Sequence, residues 1–154
     1  MKTKKGKLKM NKITMVAAVA VVIGGMFVGC SRQKTPEEVA TIVLDSIFKT
    51  QDVATLRRYS DADSLKDNRE YAEMVKAMES GALAKEAEKT LAAKGATMSD
   101  LTYSFKREVD ESCSAGLKWV KLSFTLLLKN EKIAKRKMSL ALVEDEWLLI
   151  NFER

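Results

Sequence analysis

The 154-residue chain has no histidine, two cysteines and seven glycines, and each scarcity closes off a class of chemistry. Without imidazole there is no histidine-based acid–base dyad, and a transition-metal site would have to be made from carboxylates and one thiol. The glycine patterns that cradle phosphates or dinucleotides are missing. Asp61-Ala62-Asp63 with Asp67 imitates calcium spacing, but the central glycine and the twelfth-position glutamate of a calcium loop are absent. No metal and no cofactor are expected. Acids are missing from the first 29 residues, which hold six of the 27 Lys and Arg and none of the 21 Asp and Glu. The formal charge of +6 therefore belongs to the N-terminus, and beyond it bases and acids balance. A body without a net field gives no electrostatic reason to expect nucleic acid as a partner. The late cluster Lys129, Lys132, Lys135, Arg136 and Lys137 reads as the solvated edge of a sheet.

The N-terminus itself is patterned. Lys2, Lys4, Lys5, Lys7, Lys9 and Lys12 precede an uncharged run from Ile13 to Ser31, and the next charge is Arg32. Basic residues before an apolar stretch hold the start of a chain on the cytoplasmic side during export. The segment Met26-Phe27-Val28-Gly29-Cys30-Ser31 resembles a bacterial lipobox, with Phe27 where leucine is usual. That resemblance implies a lipoprotein signal peptide over residues 1–29, a signal helix cut between Gly29 and Cys30, with a diacylglyceryl thioether on Cys30. Membrane lipid would then be the first partner, with palmitate-type acyl chains as the anchor, and two or three such chains hold stably where one does not. Ser31, rather than an acid, after the cysteine favours the outer membrane among the membranes of the cell envelope. The residues leave a second reading open, because a run of this length approaches the ~20 residues of an uncleaved transmembrane helix. Gly24-Gly25 weaken such a helix. An ordinary secretory peptide is a third reading, and all three put the rest of the chain outside the cytoplasm.

Residues 30–34 then form a lipidated tether, and residues 35–154 are enough for one hydrophobic core and too few for two. With Cys30 acylated, only Cys113 remains, so no intrachain disulfide is expected; it lies in a turn-like segment and reads as incidental. Thr35-Pro36-Glu37-Glu38 is a helix start with capping box, first-position proline and two acids at the positive helix end. Val39, Ile42, Val43, Ile47 and Phe48 follow at helical spacing. Asp52 caps a short helix with Val53, Leu56 and Tyr59 on one side. Ser64 restarts the pattern for a helix carrying Leu65, Tyr71, Ala72, Val75 and Met78, which Gly81 ends or kinks before Leu83, Ala84, Ala87 and Leu91; Gly95 ends the last turn.

From Leu101 the period changes to two. Leu101, Tyr103, Phe105 and Val109 alternate with polar residues, and Val120, Leu122, Phe124, Leu126 and Leu128 keep the same two-residue spacing in the next strand. A turn at Asn130-Glu131 leads to a third strand with Met138, Leu140 and Leu142 inward, and Trp147 to Phe152 make a fourth with Leu148, Ile150 and Phe152 on one face. Helices followed by an antiparallel meander give an α+β class.

The opening Thr35-Pro36-Glu37-Glu38-Val39, the break at Thr50-Gln51-Asp52 and the closing Val143-Glu144-Asp145-Glu146-Trp147-Leu148-Leu149 resemble small lipoproteins of the nuclear-transport-factor-two-like, cystatin-like superfamily. Glu146 stands where that family usually has a glycine. The resemblance covers most of residues 35–154 and implies a cone-shaped fold, N-terminal helices packed in a curved four-stranded antiparallel sheet. Some members of the superfamily use the cone pocket for catalysis on small carbonyl compounds, and many others only bind or dimerise, so fold alone does not choose. Isomerase-like or dehydratase-like chemistry needs a pocket acid or base with a polar partner, and no Asp or Glu clearly interrupts an inward stripe. Arg107 is the one charged residue on an inward stripe; it either receives an anionic ligand or partner carboxylate, or snorkels to water. Trp119 and Leu127, with Trp147 and Leu149, fall on faces opposite the inward residues and form a candidate patch for a protein partner or homodimer. The expected function is that of a lipid-anchored envelope protein with a small non-catalytic binding or protein-interaction domain.

Overall fold

Thr35 starts the first helix as its side chains dictate: its hydroxyl accepts from the Glu38 amide at 3.2 Å while the Glu38 carboxylate accepts from the Thr35 amide at 3.1 Å. This computed structural model describes residues 32–153. The chain divides at Gln33 into two units, and the second, Lys34–Arg154, carries every helix and strand among the described residues. Helix α1 spans Pro36–Phe48, α2 Val53–Arg58, α3 Ala62–Leu65, α4 Arg69–Glu79 and α5 Ala82–Ala92. Asp52 caps α2, and Asp61 and Asn68 cap α3 and α4 by accepting from the third residue on. The restart read at Ser64 falls inside α3; the longer helix begins after Asn68, whose amide oxygen accepts from the Tyr71 amide at 2.8 Å. Gly81, at φ 76°, ends α4 and opens α5 as a separate helix.

Four strands follow, β1 Leu101–Ser114, β2 Leu117–Leu128, β3 Glu131–Val143 and β4 Glu146–Glu153. Three two-residue turns join them, at Ala115-Gly116, Lys129-Asn130 and Glu144-Asp145, and all six residues have positive φ. Left-handed conformations at both turn positions match the right-handed twist of the flanking strands. The second turn lies one residue before the Asn130-Glu131 position read from sequence, and Glu146 starts β4 instead of occupying the last turn.

The strands hydrogen-bond in the order β1-β2-β3-β4, antiparallel throughout. This corrects the expected cone: the sheet is open, β1 does not meet β4, and no cystatin-like wrapping of the helices occurs. The physical reason lies in where the core forms. Val39, Val43, Leu44 and Ile47 of α1, Leu56 of α2, Leu65 of α3 and Val75 and Met78 of α4 pack on one sheet face, against Val120, Leu122, Phe124, Met138 and Leu140. The helices bury the middle of that face, at ~1.5–3 kcal/mol for each large side chain, while Tyr103 and Phe105 of β1 stay half-buried and β1 and β4 remain at opposite ends of the sheet. The short β4 also ends against protein. Leu149 donates to the Tyr59 carbonyl and its own carbonyl accepts from the Asp61 amide, both at 2.8 Å, so a segment of chain runs alongside it as a parallel bridge. A second small cluster of Leu91, Ala96, Leu101 and Leu128 closes the far end.

A bulge corrects the reading of β4. Ser139 pairs with Asn151 but the next residue, Leu140, pairs with Leu149, leaving Ile150 unmatched. An unmatched residue shifts the side-chain phase by one. Trp147, Leu149 and Phe152 therefore all enter the core, while Leu148 and Ile150, expected inside with Phe152, are only half-buried. Val109 changes sides for a related reason: the β1–β2 register shifts after Arg107 and sets Val109 opposite Lys121.

Candidate functional site

Arg107, the inward charge of the sequence reading, meets α1. Its Nε lies 2.6 Å from Glu37 Oε2 and its Nη2 2.9 Å from Glu37 Oε1, a bidentate fork, and Nη1 also donates to Asp110. The arginine hydrogen bond holds the Glu37 carboxyl below its ordinary value of 4.5, and the same pairing pushes the guanidinium up. The anion at Arg107 is thus supplied by the protein's own first helix. Four residues back along β1 a second tie repeats the arrangement. The Tyr103 hydroxyl donates to Asp45 at 2.8 Å, Lys49 stands 3.4 Å from the same carboxylate, and its ammonium lies 5.5 Å from the tyrosine ring centre. Burial, reinforced by the Asp45 bond, pushes the Tyr103 phenol far up, so it stays protonated at neutral pH.

A groove of about 270 Å³ opens where α1, α4 and α5 meet the sheet. Phe48, Met74, Leu83 and Phe152 make its apolar wall, and Arg136, Glu70 and Glu73 supply its charges. Arg136 pairs with Phe124 across the strands, which sets it on the helix side of β3; its Nη1 donates to the Lys135 carbonyl at 3.0 Å. Glu73 accepts from Arg69 at 2.8 Å. An apolar body with an end group that accepts from a guanidinium and donates to a carboxylate matches this lining. Sequence reasoning placed Arg136 among the solvated lysines of an edge. The signal for its true position was present, since it lies two residues before inward-facing Met138 on the same alternation.

The opposite sheet face separates the residues expected to form one patch. Trp147 and Leu149 belong to the core against the helices, Trp147 being 5% exposed, and so are not part of that face. Trp119 remains there, half-buried, across from Ala141, which in turn pairs with Leu148. Around it the face is ionic: Lys121 meets Glu153 and Lys137 meets Glu108, each at 3.1 Å. Cys113 is an exposed free thiol near the first hairpin. Gly29 and Cys30, the proposed cleavage and lipid-attachment positions, lie outside the described residues, as does the signal helix. Among the described residues no helix is long and apolar enough to cross a membrane, and no group of three or more potential ligands is arranged to hold a metal ion.

No protein-family model, curated protein or solved structure matches this chain.

Proposed function

We propose that the chain is a cell-envelope protein held at a membrane by lipid on Cys30, with residues 35–154 serving as a small binding or interaction module rather than an enzyme. The observation that carries the anchor is the order of six lysines, an uncharged run and Gly29-Cys30. Outer-membrane placement follows from Ser31 at the next position. Support for binding over catalysis comes from how the inward polar groups of β1 are spent. Arg107 is closed on Glu37, and Tyr103 is bonded to Asp45 with its proton held firmly. Neither is poised to exchange a proton with a substrate near neutral pH. The mixed-charge groove beside Arg136 offers an amphiphilic ligand a place without requiring any bond to be made or broken.

Metabolic labelling with palmitate tests the anchor directly. Wild-type protein is expected to take up label, and Cys30→Ala is expected to lose it and accumulate as the uncut precursor. Unlabelled wild-type protein retaining Met1 and staying in the membrane fraction would instead establish the transmembrane anchor.

A further inference from the structure

We propose that two copies of this chain pair antiparallel along the outer edge of β1, with the two-fold axis at Ser104. The inference uses the sheet's edge, not the Trp119 face, and does not depend on how the chain is anchored.

The sheet has two edges, and they are finished differently. Beside β4 runs the Tyr59–Asp61 segment, bonded to both backbone groups of Leu149. Beside β1, a strand of 14 residues, no strand lies among the described residues, and the backbone bond that reaches it from the preceding turn is at its first residue, where the Leu101 amide donates to the Met98 carbonyl. Such an edge is a template for another strand. Its regular portion is Leu101–Arg107, which matches β2 residue for residue from Leu128 to Leu122; beyond Arg107 the register shifts, and Glu111 takes a positive φ of 39°.

That regular portion is complementary to itself. Turned about Ser104, Tyr103 faces Phe105 of the second copy, Thr102 faces Lys106, and Leu101 faces Arg107. No like charges meet, and two aromatic cross-strand pairs form between side chains that are half-buried in the single chain. Ser104 faces only its own copy. Because β4 is already covered, addition stops at two chains: the contact is isologous and closed, and it cannot grow into a fibre.

Cross-linking reads the register directly, using full-length protein in mild detergent with Cys113→Ser as background, and that background alone as the control for any cross-link through Cys30. Ser104→Cys brings its thiol against its own counterpart, within disulfide reach. Thr102→Cys puts its counterpart about 13 Å away along the strand. The first variant is expected to form a covalent dimer on mild oxidation and the second to stay uncross-linked. In sedimentation, wild type is expected to be dimeric. Ser104→Glu sets two carboxylates face to face and is expected to weaken the dimer about fivefold, whereas Thr102→Glu faces Lys106 and leaves it intact. Both positions are exposed, so unchanged circular dichroism is expected for each variant. A monomeric wild type at the highest attainable concentration, or equal cross-linking at 102 and 104, overturns the proposal.

Discussion

Along β4 the sheet ends in apolar burial: Trp147, Leu149 and Phe152 sit in the core, and the chain from Tyr59 to Asp61 lies against the strand. Along β1 it ends in polar ties, with Tyr103 and Phe105 half-buried and the strand joined to α1 by Arg107–Glu37 and Tyr103–Asp45. The β4 side is held mainly by water exclusion, which has no direction and little dependence on pH, beside the backbone bonds at Leu149 and an exposed Arg58–Glu146 pair. Charge and hydrogen-bond geometry hold the β1 side, so conditions and partners can change it. The same chain thus has one finished edge and one adjustable edge.

The strongest way to break this contrast is Trp147→Ala, which removes the largest side chain on the buried strand. A loss of about 3–5 kcal/mol is expected in urea unfolding; a loss similar to that at a half-exposed site would mean that β4 is no better packed than β1. Next in size is Arg107→Ala, expected to cost about 1–2 kcal/mol because it leaves Glu37 without its charged partner. A double-mutant cycle with Glu37→Gln isolates the pair, and zero coupling would show that it does not hold α1 to β1, leaving packing and the Tyr103–Asp45 bond.

The smallest effect is a pH slope. Glu37 has its folded value lowered below 4.5 by Arg107, so its contribution is fully present above that pH and is lost as the pH falls through the folded value. In unfolding curves taken down through the acid range, wild type is expected to lose stability more steeply than Glu37→Gln. Equal slopes would remove the carboxylate from the account of the β1 side.

Local chemistry was legible wherever the deciding partner lay within a few residues. Thr35 with Glu38, Asp52 before α2, Gly81 between two helices and the change of period at Leu101 all act over one turn or one strand, and the structure has them where their side chains require. Two faces were misread because a register shift is invisible to strict alternation. The unmatched Ile150 moved Trp147 and Leu149 inside, and the shift after Arg107 turned Val109 toward Lys121. Arg136 was misplaced for a different reason: composition grouped it with neighbouring lysines although the two-residue period already put it on the inner side. The partner of Arg107 lies 70 residues away, and nothing in the strand itself names it.

The sequence by itself determined the α+β class, the order of helices before strands, the caps at Thr35 and Asp52, the second and third hairpins to within a residue and the electroneutrality of the chain beyond residue 29, because these follow from propensity, period and counting. Only tertiary structure decided that the sheet stays open, that one edge is covered while the other is bare, and that the inward arginine and tyrosine are tied to α1. Those outcomes depend on which surfaces meet across long separations, and a pattern with a period of two or 3.6 residues carries no record of that.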